Sequence, residues 1–267
     1  MLKDITVGQY YPADSPMHRL NPRVKLLASL AFLAAVFIIS GVWGYALAVA
    51  MTAAVIAASR VPVPYLFRGL RSILFMLLFT VALNVFFTPG DDVVFSLWGL
   101  RATASGVAVA ARTCVRLTLI IVGSSLLTLT TTSIELTDAI EFSLKPFRPV
   151  GVPAHEIAMM MTIALRFIPT LTEELDKIMK AQAARGADFD TGGLIRKAKS
   201  FVPVLVPLFV SAFRRADELA TAMEARCYRG GVGRTRMRPS RLYRRDYIAI
   251  VLAAFAFTAM IAAGRIG

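Results

Sequence analysis

Residues 26–59 read LLASLAFLAAVFIISGVWGYALAVAMTAAVIAAS, a run without one charged side chain. A transmembrane helix needs about 20 mainly apolar residues to cross about 30 Å of hydrocarbon, so this stretch is too long for one straight span. Gly41-Val42-Trp43-Gly44 lies near its middle and reads as a turn, which gives two spans, 26–40 and 45–59. Arg60, Pro62 and Pro64 close the second. Working outward, a third span covers 72–88 and stops at Pro89-Gly90-Asp91-Asp92. A fourth covers 102–131 and a last one 247–263. Only helices and closed barrels satisfy their own backbone in lipid. The expected fold is therefore all-α: a polytopic membrane protein with about five transmembrane helices and a cytoplasmic bundle of long helices.

Composition agrees. Of 267 residues, 57% are hydrophobic and 18% charged, against about 45–50% and about 25% in a soluble domain. That excludes an ordinary soluble enzyme and a disordered chain. The net charge of +13 would suggest nucleic acid in a soluble protein. In a chain with these apolar runs it follows the positive-inside bias instead, and no nucleic-acid partner is expected. Cys114 and Cys227 give no disulfide framework or zinc spacing, and His18 and His155 form no metal motif. The first 25 residues contain Asp4 and Asp14 but no apolar core, so no cleavable signal is expected.

Basic residues near span ends set the topology. Lys3, Arg19, Arg23 and Lys25 precede the first span, and Arg60, Arg68 and Arg71 follow the second. Arg234, Arg236, Arg238, Arg241, Arg244 and Arg245 precede the last. All three groups should be cytoplasmic, and loop 89–100, with two Asp and no basic residue, should be outside. The N-terminus is then inside and the C-terminus outside, with Arg265 a small violation. Arg112 and Arg116, one helical turn apart in the fourth span, share a face. A charge at mid-bilayer costs about 2.5–3.5 kcal/mol. They either form a buried pair that contacts a partner subunit or lines a path, or they snorkel outward to headgroups.

Three regions follow: a four-span membrane region (1–131), a cytoplasmic region (132–245) and a C-terminal span (246–267). Segment 132–246 holds 19 basic and 13 acidic residues, most of the charge in the chain. Thr132 with Glu135 reads as a capping box. The helix it opens carries the stripe Leu136, Ile140 and Leu144 and ends before Pro146. A second helix opens after Pro153, passes Met159, Met160, Met161 and a kink at Pro169, and stops near Gly186. A third covers 194–227 and stops before Gly230-Gly231. Pro203 and Pro207 bend it, either to fit its neighbours or as a hinge.

The second and third helices end alike. One reads Ala181-Gln182-Ala183-Ala184-Arg185-Gly186 and the other Ala222-Met223-Glu224-Ala225-Arg226-Cys227, both Ala-x-x-Ala-Arg-small. Arginine in a last turn complements the helix dipole, and glycine after it is a common helix stop. The duplication at equivalent ends suggests more. Small residues beside the arginine would let each helix end enter a partner's groove. There the guanidinium would pair with a carboxylate in bidentate geometry. Ala184, Arg185, Gly186, Ala225, Arg226 and Cys227 are thus the candidate docking residues.

These residues bring a family into view. With Ser15-Pro16-Met17-His18-Arg19-Leu20-Asn21-Pro22, Thr131-Thr132, Glu135-Leu136 and Leu165-Arg166-Phe167-Ile168-Pro169, the chain resembles the transmembrane T component of energy-coupling factor transporters. These are the vitamin and transition-metal importers of prokaryotes. The resemblance covers nearly the whole length and departs at Cys227, where the family usually has glycine. It implies that the cytoplasmic helices are coupling helices docked on two ABC-type ATPases in the plasma membrane of a prokaryote. It also implies that the spans hold a small membrane protein, the S component, which binds the transported compound. Arg185 and Arg226 would meet acidic residues of the ATPases, which would hold ATP and magnesium, so this chain would need no cofactor.

What the sequence lacks fits a non-catalytic subunit. There is no phosphate-binding Gly-x-x-x-x-Gly-Lys-Ser/Thr loop, no catalytic cluster and no acidic coupling residue within a span. Two other functions stay open on the sequence. One is the permease of a conventional ABC importer. The other is an integral-membrane enzyme that binds a lipid phosphate through Arg112, Arg116 and Arg166.

Overall fold

Asn21 followed by Pro22 is a helix start written into the sequence. The Asn21 side chain accepts from the Arg23 N–H at 3.1 Å, and Pro22, with no N–H to leave unpaired, occupies the first turn of α1, Pro22–Ile38. The computed structural model describes residues 10–89, 93–97, 100–189, 193–231 and 242–266. Three apolar helices follow: α2 (Val42–Ser59), α3 (Val63–Phe87) and α4 (Ala104–Thr130). Next come α5 (Ser133–Leu144), α6 (Ala154–Ala184), α7 (Leu194–Ala225) and the apolar α8 (Arg244–Ile266). A 3-10 turn, Lys145–Val150, joins α5 to α6.

The five apolar runs are all helices. Three segments, α2, α4 and Arg244–Gly264 of α8, are long and apolar enough to cross a membrane. α3 makes a fourth when Val63–Arg71 and Ile73–Phe87 count as one span. α1 has 17 residues, about 26 Å at 1.5 Å per residue. One element departs from the expected loop at 89–100. Val93–Leu97 and Leu100–Thr103 form an antiparallel hairpin, β1 and β2, with Leu97 opposite Leu100. The run Val-Val-Phe-Ser-Leu favours extended backbone. The Thr103 hydroxyl ends the hairpin by capping the Gly106 N–H at 3.1 Å and so opens α4.

The chain divides into two units. The first is Gln9–Ala139 with Ser240–Gly267, so the last helix belongs with the first four. Within it α4 packs on α1, α2 and α3, and α8 packs on α1 and α2. Phe32, Ala35, Val36, Ile39, Tyr45, Ala48, Leu119 and Met260 form its core. Glycines let these helices approach. A Cβ on Gly123 would lie 2.7 Å from the Phe32 ring, and one on Gly44 would lie 2.6 Å from Ile39 and 2.9 Å from the Gly264 Cα. Close backbone contact of this kind holds helices together where lipid removes the hydrophobic drive.

Polar groups at one end of this unit tie its segments together. Asp246 is fully buried and accepts from the N–H groups of Asn21 (2.9 Å) and Tyr243 (2.8 Å). Lys25 donates to the carbonyls of Thr130 (2.8 Å) and His18 (3.2 Å). His18 in turn contacts the Ser15 hydroxyl at 2.7 Å and the Tyr11 carbonyl at 3.0 Å, which fixes the segment before α1. Replacing Asp246 by Ala would strand the buried Asn21 N–H and the half-buried Tyr243 N–H. We expect a loss of about 2–5 kcal/mol, read as a lower melting temperature of the detergent-solubilised chain. Asp246→Asn, which keeps one acceptor oxygen, should lose less; equal melting of Asp246→Ala and wild type would refute the role of this carboxylate.

Candidate functional site

The second unit, Ile140–Pro239, carries α6 and α7. The two long helices pack on each other through a few polar links. Glu174 accepts from the Arg215 guanidinium at 3.0 Å. Its carboxyl is held below the usual range by a hydrogen bond from Ser211 first, then by Arg215. Further along, Gln182 Nε2 donates to the Pro203 carbonyl at 3.4 Å, and the Phe189 ring lies tilted against Phe201 with centroids 5.5 Å apart. The Pro203 contact has a local cause. In a helix that carbonyl would accept from residue 207, but position 207 is proline and has no N–H. Pro169, Pro203 and Pro207 all lie inside helices that continue through them.

Both helix ends close with the same hydrogen-bond pattern. After α6, Arg185 is the cap and Gly186 takes φ +88°. The Gly186 N–H donates to the Ala183 carbonyl (2.9 Å) and the Ala187 N–H to the Gln182 carbonyl (3.0 Å). After α7, Arg226 is the cap and Cys227 takes φ +55°. The Cys227 N–H donates to the Glu224 carbonyl (2.8 Å) and the Tyr228 N–H to the Met223 carbonyl (3.1 Å). Each is a Schellman closure with a left-handed residue just past the arginine. Cys227 occupies the conformation that glycine would take freely.

Ala184, Arg185 and Gly186 are all exposed, and so are Ala225, Arg226 and Cys227. Among the described residues neither Arg185 nor Arg226 has an acidic partner. Each tip therefore presents one unneutralised guanidinium beside a methyl-sized neighbour, at the negative end of a helix that favours the cation. Such a tip can accept a carboxylate or a phosphate in bidentate fashion.

The arginines of the spans behave differently. Arg116 Nε donates to the Tyr45 hydroxyl at 2.8 Å and its Nη2 to the Ile39 carbonyl at 3.3 Å, with the guanidinium 5.8 Å from the Tyr45 ring centre. It ties α4 to the turn between α1 and α2. Arg112 is exposed and bonds the Ala108 carbonyl of its own helix at 3.3 Å. Arg116 is thus satisfied within the chain, while Arg112 is exposed. Arg166 is exposed on α6, in the other unit. Tyr45 as the partner of Arg116 and Asp246 as a buried acceptor were not anticipated; the available signals are a tyrosine inside an apolar span and an acid beside a basic run. His155 meets Glu141 at 3.4 Å, a structural contact. Among the described residues no three or more His, Cys, Asp or Glu gather as a metal site.

Comparison with known proteins covers almost the whole chain. The CbiQ family, described as "Cobalt transport protein", matches residues 13–238. A protein of Clostridium kluyveri named energy-coupling factor transporter transmembrane protein EcfT is 56% identical over 254 residues, 95% of this chain and 94% of its own. A protein of the same name from Thermosediminibacter oceani is 52% identical over 265 residues, 99% and 98% of the two chains. One from Lactococcus lactis subsp. cremoris is 45% identical over 250 residues, 94% of each.

The unequal residues in the two caps allow a direct check. Cys227→Gly should raise stability by about 1 kcal/mol by relieving a left-handed side chain, and Gly186→Ala should lower it by about the same amount. Thermal melting of the purified chain measures both; matching shifts of the same sign would contradict the left-handed assignment.

Proposed function

The chain belongs to the CbiQ family, alongside the energy-coupling factor transporter transmembrane proteins, and on that premise we propose that its two arginine-tipped helices dock on a pair of ATPase subunits. It is a membrane transport subunit and not an enzyme. The duplicated closure of α6 and α7, with Arg185 and Arg226 both exposed and unneutralised, carries this proposal. Two equal tips suit two similar partners. Each guanidinium would pair with a carboxylate in an ATPase groove, where exclusion of water strengthens the bond. ATP and Mg²⁺ belong to those partners.

Movement of a docked tip has a path into the rest of its unit. Glu174, Ser211 and Arg215 join α6 to α7, and Gln182 joins the α6 tip to the Pro203 carbonyl. Pro203 and Pro207 are then where α7 gives during the ATP cycle, because both lack the N–H that would stiffen the helix there. The apolar helices would hold a separate small membrane protein, the S component, which carries the substrate-binding site. The cargo, vitamin or metal ion, is set by that partner. Basic residues before α1, after α2 and before α8 favour a cytoplasmic N-terminus and cytoplasmic tips, with the C-terminus outside.

A conventional permease would meet its ATPases through one short loop per subunit, whereas this chain carries two capped tips. A lipid-phosphate enzyme would need Arg116 free, and Arg116 is bound to Tyr45 and Ile39.

Arg185→Glu or Arg226→Glu should cut co-purification of the ATPases sharply, the loss of an interfacial charge pair costing about 2–5 kcal/mol, while membrane insertion stays normal. Wild-type association of the double variant would refute docking by these arginines. Topology is tested separately. In a background lacking Cys114 and Cys227, a membrane-impermeant thiol reagent applied to whole cells should label Asp91→Cys and spare Asp190→Cys. The reverse pattern would overturn the orientation.

A further inference from the structure

We propose that the membrane unit binds one anionic phospholipid at the end marked by Arg60 and Arg245. Its phosphate would occupy a basic cleft, and one acyl chain would lie in the apolar groove that adjoins it.

The cleft, about 560 Å³, is lined by Asp14, Ser15, Arg19, Arg60 and Arg245 over the first turns of α8. Its three arginines are not equivalent. Arg19 is neutralised by Asp14 through a bidentate pair at 2.8 and 2.6 Å. Arg60 is exposed and reaches only the Asp14 carbonyl, at 3.4 Å. Arg245 is exposed with its guanidinium 5.1 Å from the Tyr243 ring centre. Among the described residues neither Arg60 nor Arg245 pairs with a carboxylate. Asp14, already paired with Arg19, is the one carboxylate in the cleft lining and also feels Arg60, so three arginines face one acid and the cleft keeps a net positive charge.

A second cavity of about 550 Å³ lies between α1, α2, α4 and α8, walled by side chains such as Val24, Phe32, Val55, Leu126 and Phe257. Leu20, Ala249 and Leu252 line both cavities, so the two adjoin across these side chains. A cationic cleft beside an apolar groove between membrane helices matches a phospholipid, with its anionic head and apolar tail. Free phosphate would use the cleft and leave the groove unused. The proposal is independent of ATPase docking.

The test is native mass spectrometry of the purified full-length chain, delipidated and then offered phosphatidylglycerol, phosphatidylcholine or inorganic phosphate. One phosphatidylglycerol should be retained, with about tenfold preference over phosphatidylcholine. Arg60→Gln with Arg245→Gln should lower retention about tenfold, and Arg60→Lys with Arg245→Lys should restore most of it. Ala249→Phe, at the junction of the cavities, should also lower retention while leaving both arginines in place. If the glutamine variant does not fold, the lipid preference of wild type and the Ala249→Phe result still decide. Equal retention of phosphatidylcholine, displacement of the lipid by millimolar inorganic phosphate, or wild-type retention by Ala249→Phe would each overturn the proposal.

Discussion

A left-handed residue directly after an arginine fixes where each long helix stops and leaves that arginine as its cap. At Gly186 that conformation carries no steric cost; at Cys227 it costs about 1–2 kcal/mol. The closing bonds from the next two N–H groups hold both turns all the same. Arg185 and Arg226 are therefore the cap residues of α6 and α7, and both are exposed. The alanines before them leave open space around each guanidinium. Without these caps the last turns would fray, and the charges would sit on flexible chain.

The membrane unit follows the same economy in placing charge. Apolar burial gives little drive between helices in lipid, so glycine contacts and satisfied polar groups hold them together. Gly44, Gly123 and Gly264 set the closest approaches. Asp246 and Lys25 each bond backbone groups from another segment at one end. Arg116 does so at the turn between α1 and α2, where it takes the carbonyl of Ile39 and the hydroxyl of Tyr45. α1 and α4 run antiparallel, with Lys25 level with Thr130 and Ile39 level with Arg116, so one helix pair is pinned at both ends.

Much of this was legible in the sequence, because local signals decide it. The apolar runs become helices, and the capping box is present, with the Glu135 N–H to Thr132 Oγ1 at 3.3 Å and the Thr132 N–H to Glu135 Oε2 at 3.2 Å. The paired Ala-x-x-Ala-Arg endings fall at helix ends because small residue, arginine and left-handed cap are consecutive in the chain. Tertiary features were hidden. The face of α5 that is fully buried carries Thr137 and Glu141, and the apolar stripe of Leu136, Ile140 and Leu144 is only half-buried. The helix pattern shows periodicity but not which neighbour covers it. Arg116 finds its partners 71 and 77 residues away, a register no local pattern contains. Cys227 concealed its backbone conformation because glycine is the usual marker for it.

The most direct measurement places a photo-crosslinking residue at position 185, 226 or 112 of the chain in membranes that contain the assembled transporter. Crosslinks from both 185 and 226 to ATPase subunits, with none to an ATPase from 112, are the expected result. Crosslinks from 185 and 226 that stay within this chain, or none at all, would contradict docking through the two helix tips.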